Sequence, residues 1–205
     1  VLLNLVDKAK NTIIGRDFGF SSIKSYEDFS KKVPAFSYEN FSDKIKLARK
    51  GENNIFWPTK IKWFAKSSGT TNSKSKFIPV SDESLQDCHY AAGKDLLCMY
   101  LNNNSGSQLF TGKSLRLGGS KTPYEKNGTF YGDLSAILID NMPFWAEFSS
   151  TPSNKTSLMD DWNYKIEAII NETINENVTS LAGVPSWMLV LLNKIIERSD
   201  KKYIS

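Results

Sequence analysis

The sequence predicts an α/β fold, with helices and short strands in mixed α+β layers. Helical apolar stripes alternate along the chain with short apolar runs of strand length, and no internal repeat or linker interrupts them. At 205 residues, 40% apolar and 23% charged, the chain can bury a sizeable core in one domain. No run approaches the roughly 18–20 consecutive apolar residues of a membrane helix.

The elements follow in order. Leu2, Leu3, Leu5, Val6 and Ala9 form a helical stripe that ends before Gly15. Ser25-Tyr26-Glu27-Asp28 opens a short capped helix that stops at the Val33-Pro34 step. Ser37 caps another, with Phe41, Ile45 and Ala48 on one side and Gly51 as its stop. Ile61 to Phe64 reads as a short strand. Ser81 caps a long helix to about Leu101 whose apolar face would use Leu85, Cys88, Ala92, Leu96 and Met99. Leu115 to Leu117 reads as a strand ended by Gly118-Gly119, and Lys121 to Gly132 as loop. Leu134 to Ile139 fits a buried strand or a helix equally. Trp162, Ile166, Ile169, Ile170 and Ile174 mark a helix capped by the Asp160-Asp161 pair, Val178 to Val184 a strand, and Pro185 the first turn of a closing helix through Glu197. That helix nearly reaches Ser205 with no strand after it, so residues 1–205 are expected to be an incomplete domain.

Composition excludes several functions. With His89 as the single histidine, a histidine zinc cluster cannot be built, and a Ser-His-Asp triad would have to use that residue. Cys88 and Cys98 lie too far apart along one helix to bond and are expected as buried thiols. The net charge of +4 is spread among interleaved acids, as in DKIKLARKGE, so no nucleic-acid face is expected. The N-terminus acquires charge too early for a secretory signal, which makes a cytoplasmic location, away from membranes, the default. Gly106 to Ser114 nearly matches a Walker loop, but five residues separate its glycines and a strand follows, so it is rejected.

The chemically informative segment runs from Trp63 to Pro79. Between Trp63 and Val80 there is no Asp or Glu, while Ser67, Ser68, Thr70, Thr71, Ser73 and Ser75 crowd around Gly69 with Lys66, Lys74 and Lys76. Phosphate oxygens are acceptors, so a loop that holds them needs N–H, hydroxyl and ammonium donors without competing carboxylates. Gly69 allows the backbone to turn and approach a ligand. The same composition also suits a solvated surface loop on a non-catalytic binding or interaction module.

Residue order adds to composition. Ser67-Ser68-Gly69-Thr70-Thr71, a basic residue, then Phe77-Ile78-Pro79 resembles the first signature motif of adenylate-forming enzymes, closest to the GH3 auxin-responsive family of acyl-acid amido synthetases. Gly15-Arg16-Asp17-Phe18-Gly19-Phe20, Trp57-Pro58, Gly112-Lys113-Ser114, Gly118-Gly119-Ser120, Gly132-Asp133-Leu134-Ser135 and Gly183-Val184-Pro185-Ser186-Trp187 fall in that family's order, in its bacterial type. The resemblance implies an ATP- and Mg²⁺-dependent ligase that adenylates a small-molecule carboxylic acid and passes the acyl group to an amine, typically an amino acid. It implies phosphate contact by Ser67, Ser68, Gly69, Thr70 and Thr71, with Lys74 and Lys76 adding positive field, and an acyl-pocket wall at Val184, Pro185 and Trp187. No catalytic side chain and no metal ligand is singled out. Asn72-Ser73 departs from the family's glycine-containing tail, and its Ser-Glu or Thr-Glu motif does not occur. Gly132-Asp133 resembles the family's ribose-binding pair but lies too early, so Asp133 is expected to be a helix cap. With the C-terminal domain and its lysine also missing, residues 1–205 would be an incomplete N-terminal adenylation domain.

Overall fold

A computed structural model describes residues 1–67, 75–119, 124–126 and 128–199. The chain forms two compact units: Val1–Tyr90 with Tyr124–Tyr131, and the described remainder.

The first unit begins with α1 (Leu2–Ala9), which buries Val6 and Ala9, and α2 (Ile13–Asp17). Thr12 caps α2: its hydroxyl accepts from the Gly15 N–H at 2.9 Å and donates to the Ala9 carbonyl at 2.7 Å. The α3 helix (Tyr26–Lys32) is capped by Ser25 as expected, with acids in its first turn and lysines in its last, matching the helix dipole. Ser37 starts a 3₁₀ turn (Tyr38–Phe41) that runs into α4 (Ser42–Arg49), and Gly51 follows at φ 93°. Strands β1 (Trp63–Lys66) and β2 (Phe77–Val80) pair antiparallel, from Trp63 opposite Val80 to Lys66 opposite Phe77. The strand expected at Ile61 to Phe64 is therefore displaced by two residues, because pairing with β2 sets its bounds.

The Ser81 hydroxyl accepts from the Ser84 N–H as expected of a cap, but one long α-helix does not follow. A wide π turn (Ser84–Tyr90) precedes α5 (Ala91–Asn103), and of the expected apolar face only Leu85 is buried. Leu96 and Met99 are exposed, and so are Cys88 and Cys98, which corrects the expectation of buried thiols.

In the second unit β3 (Lys113–Leu117) extends the expected strand by two residues. The expected loop from Lys121 to Gly132 contains a hairpin of β4 (Tyr124–Lys126) and β5 (Thr129–Gly132), with Gly128 at φ 70°. It belongs to the first unit's sheet, in the order β2-β1-β5-β4. Tyr131 stacks on Phe64 at 5.6 Å in that unit's core with Ile45, Ala48, Ile55 and Ile61.

Leu134 to Ile139 resolves as helix α6 (Leu134–Asp140), followed by α7 (Phe144–Phe148), β6 (Ser150–Thr151) and α8 (Asn154–Ser157). The predicted apolar stripe becomes α9 (Trp162–Thr173), capped by the Asp161 carboxylate, which accepts from the Asn163 and Tyr164 N–H groups. Strand β7 (Val178–Gly183) leads into α10 (Pro185–Ser199), with Pro185 at the first position, where its missing N–H costs nothing. The second sheet has the order β6-β3-β7, all parallel. Leu115 and Leu117 of β3 pack with Ile166, Ile169 and Ile170 of α9 and Met188, Leu191 and Ile195 of α10. A four-stranded sheet in the first unit and a parallel sheet packed with helices in the second make the mixed architecture expected.

Candidate functional site

The residues expected to bind ligand fall in both units. In the first, the donor-rich segment is the connection between β1 and β2. Its two ends are clasped: the Ser67 N–H donates to the Lys76 carbonyl at 2.9 Å, and the Lys76 N–H donates to the Ser67 hydroxyl at 3.1 Å. Phe77 next to it is fixed by Tyr38, whose hydroxyl accepts from the Phe77 N–H at 2.9 Å. The Lys76 ammonium lies 3.3 Å from a Glu39 carboxylate oxygen and over the Tyr38 ring at 5.2 Å. Ser68, Gly69, Thr70, Thr71 and Lys74 lie outside the described residues.

Within its own sequence the segment has no carboxylate, but Glu39 brings one from the preceding 3₁₀ turn to Lys76. The Glu39 carboxyl lies below the usual glutamate range, held there first by its own backbone N–H, then by Ser37 and Lys76. Among the described residues no cluster of acids, His or Cys could hold a metal ion. Mg²⁺ typically keeps water and phosphate oxygens as ligands, so an ion arriving with a nucleotide would need no cage of protein ligands.

In the second unit the strands β3 and β7 end side by side, with Leu117 opposite Gly183. Ligands of parallel α/β sheets bind at the carboxyl ends of the strands. That edge is closely packed. A Cβ on Gly183 would lie 3.0 Å from the Leu117 carbonyl oxygen, and one on Gly119 would lie 3.1 Å from an Asp133 carboxylate oxygen. Val184, Pro185 and Trp187 follow Gly183 directly. Val184 and Trp187 are exposed, and Trp187 meets Trp162 of α9 edge-on at 4.4 Å. Asp133 does occupy the N-cap position of α6, its carbonyl accepting from the Ile137 N–H at 3.0 Å, but its carboxylate makes no capping bond.

Among the described residues two buried charged side chains were missed from the sequence. Lys165 is fully buried within the α9 stripe, and its ammonium donates to the Gly119 carbonyl at 2.8 Å. Arg116 is buried on β3 and donates to the Asn154 side chain at 3.2 Å. Burial pulls the basic group of each below its usual range, opposed by Asp160 at Lys165 and Glu147 at Arg116. The available signal was position: Lys165 stands three residues after Trp162 and four before Ile169, on the apolar face.

An antiparallel strand pair in one unit and a parallel three-stranded sheet packed with helices in the other define a mixed α/β fold. The chain belongs to the GH3 family, matching the GH3 family N-terminal domain over residues 1–204. Among solved structures it is similar to a GH3.15 acyl acid amido synthetase, at 19% identity and a TM-score of 0.76, over 97% of this chain and 35% of that one. It is also similar to AtGH3.15 acyl acid amido synthetase in complex with 2,4-DB, at 21% identity and a TM-score of 0.78, again over 97% and 35%. These likenesses show the fold, and the chain spans about a third of those enzymes' length. No curated protein matches it.

Proposed function

We propose that this chain is the N-terminal part of an ATP- and Mg²⁺-dependent ligase that adenylates a carboxylic acid and transfers the acyl group to an amine such as an amino acid. The observation that carries the proposal is the β1–β2 connection, a run of hydroxyls, lysines and one glycine whose ends are clasped by Ser67 and Lys76. Such a hairpin presents donors to phosphate oxygens while its strands stay anchored in a sheet. Ser67, Ser68, Gly69, Thr70, Thr71, Lys74 and Lys76 would hold the β- and γ-phosphates. Val184, Pro185 and Trp187, at the carboxyl ends of β3 and β7, would wall the acyl pocket.

The reaction needs no nucleophilic side chain. The acid's carboxylate oxygen attacks the α-phosphorus and pyrophosphate leaves. The amine nitrogen then attacks the acyl carbon, AMP leaves, and the amine's proton passes to solvent or a base. Charge builds on phosphoryl oxygens, so the chain's part is to position and to supply donors. Resemblance to bacterial-type members supports a cytoplasmic bacterial enzyme. Because the chain spans 35% of the solved enzymes, the activity is assigned to a longer protein.

The test is pyrophosphate release by the full-length protein with ATP, Mg²⁺ and a panel of carboxylic acids. Gly69→Val should lower acid-dependent release at least tenfold with little change in Tm, since a β-branched side chain blocks close approach to phosphate. Equal losses of activity and stability would make the glycine structural. Residues 1–205 alone should give no acid-dependent release, because misplacing reacting groups by even about 1 Å costs on the order of 10²-fold.

A further inference from the structure

We propose that Lys165 is a positioning residue that sets the acyl end of this site by holding the Gly118–Gly119 turn; the inference rests on the function proposed above.

The turn is held from two helices. A Cβ on Gly118 would fall 2.1 Å from the Ile139 Cδ1, and one on Gly119 would fall 3.0 Å from the Ser135 hydroxyl. Helix α6 therefore presses on one side of the turn, and α9 holds the Gly119 carbonyl through Lys165 at 2.8 Å. The same first turn of α9 reaches the neighbouring strand end, because Trp162 packs against Trp187. One helical turn thus fastens both lips of the sheet edge: Gly119 after β3, and Val184 to Trp187 after β7.

A packing role alone does not call for lysine. The ammonium has three N–H donors and is fully buried, and desolvation disfavours its charge. Methionine would fill similar volume without that cost, and apolar replacement of buried charges is often neutral or stabilising. What methionine cannot do is donate to the Gly119 carbonyl. The positive charge beneath the turn also suits a site that must attract a substrate carboxylate.

The test compares wild type, Lys165→Met and Lys165→Gln in the full-length protein by acid-dependent pyrophosphate release, thermal melting and amide hydrogen exchange. For Lys165→Met we expect a Tm within about 3 °C of wild type, a KM for the acid raised roughly tenfold, and an unchanged KM for ATP. Exchange should quicken at the Gly118 and Gly119 amides and stay unchanged at Leu115 and Ile169. Lys165→Gln, shorter and uncharged but still a donor, should raise the acid KM less, and it carries the test if the methionine variant does not fold. An unmoved acid KM with unchanged exchange at the turn overturns the proposal, as does faster exchange spread evenly through the core. If wild type releases no pyrophosphate with any acid, the proposed function fails, while the exchange pattern still decides whether Lys165 holds the turn.

Discussion

The Glu39 carboxylate, from a turn far earlier in the chain, lies 3.3 Å from the ammonium of Lys76 at the base of the donor-rich loop. A phosphate brought to that loop would compete with Glu39 for the lysine. Both side chains are substantially solvated, so the pair holds weakly and can be exchanged. Glu39→Gln should therefore lower the KM for ATP in the full-length enzyme by about two- to fivefold. Lys76→Met should raise it roughly tenfold. ATP titrations of acid-dependent pyrophosphate release give both numbers. Two unchanged values would remove Lys76 from the phosphate contacts.

Local chemistry was legible in the sequence, and long-range pairing was not. Ser25, Ser81 and Asp161 could be named as caps because a cap needs only a side-chain oxygen and an N–H two or three residues away. Pro185 marked the start of α10 on equally local grounds, since its fixed φ and missing N–H suit the first helical position. The β4–β5 hairpin read as loop, because strands of three and four residues carry little periodicity and gain their stability from the sheet they join. The Ser67–Lys76 clasp and the Glu39 contact depend on chain closure that no local pattern encodes. Lys165 was passed over because a lysine ordinarily reads as surface, although its place in an apolar stripe pointed inward.

Two glycines of helical segments should respond in opposite ways to the same substitution. Gly15 is buried in α2, and a Cβ there would lie 2.0 Å from the Ala9 carbonyl oxygen, a backbone atom that cannot step aside alone. Its N–H also anchors the Thr12 cap. Gly15→Ala should cost about 1–3 kcal/mol through overpacking. Gly93 lies in α5 with open space where its Cβ would be. Gly93→Ala should stabilise by about 0.5–1 kcal/mol through helix propensity. Urea denaturation of the two variants measures both signs, and a destabilised Gly93→Ala would mean that α5 is covered in solution.

Glu172 gives the molecule part of its acid sensitivity. It sits in the last turn of α9, where the helix dipole opposes a negative charge. Burial also raises its pKa, but hydrogen bonds from Thr156 and Ser153 and the nearby Lys113 outweigh it, so the carboxyl lies below the usual glutamate range. The Ser153 N–H donates at 2.7 Å. Glu172 lines a cavity of about 410 Å³ with Glu147, Lys113 and Glu176, and Lys113 itself pairs with Glu176 at 2.6 Å. Because the folded pKa is the lower one, the ionised group stabilises the fold above its unfolded pKa of about 4.3. That contribution fades as pH falls through the folded value. Glu172→Gln should lower stability at about pH 7 by roughly 1 kcal/mol, a figure kept small because the carboxylate is largely solvated. Asp28, Glu39, Asp43 and Glu83 have lowered pKa values too, so wild type will lose stability in acid whatever Glu172 does. The difference between wild type and Glu172→Gln cancels those groups and should shrink from about pH 5 downward. Urea unfolding of both proteins at a series of pH values measures it, and a difference that stays constant into acid would mean that Glu172 stabilises by shape rather than by charge.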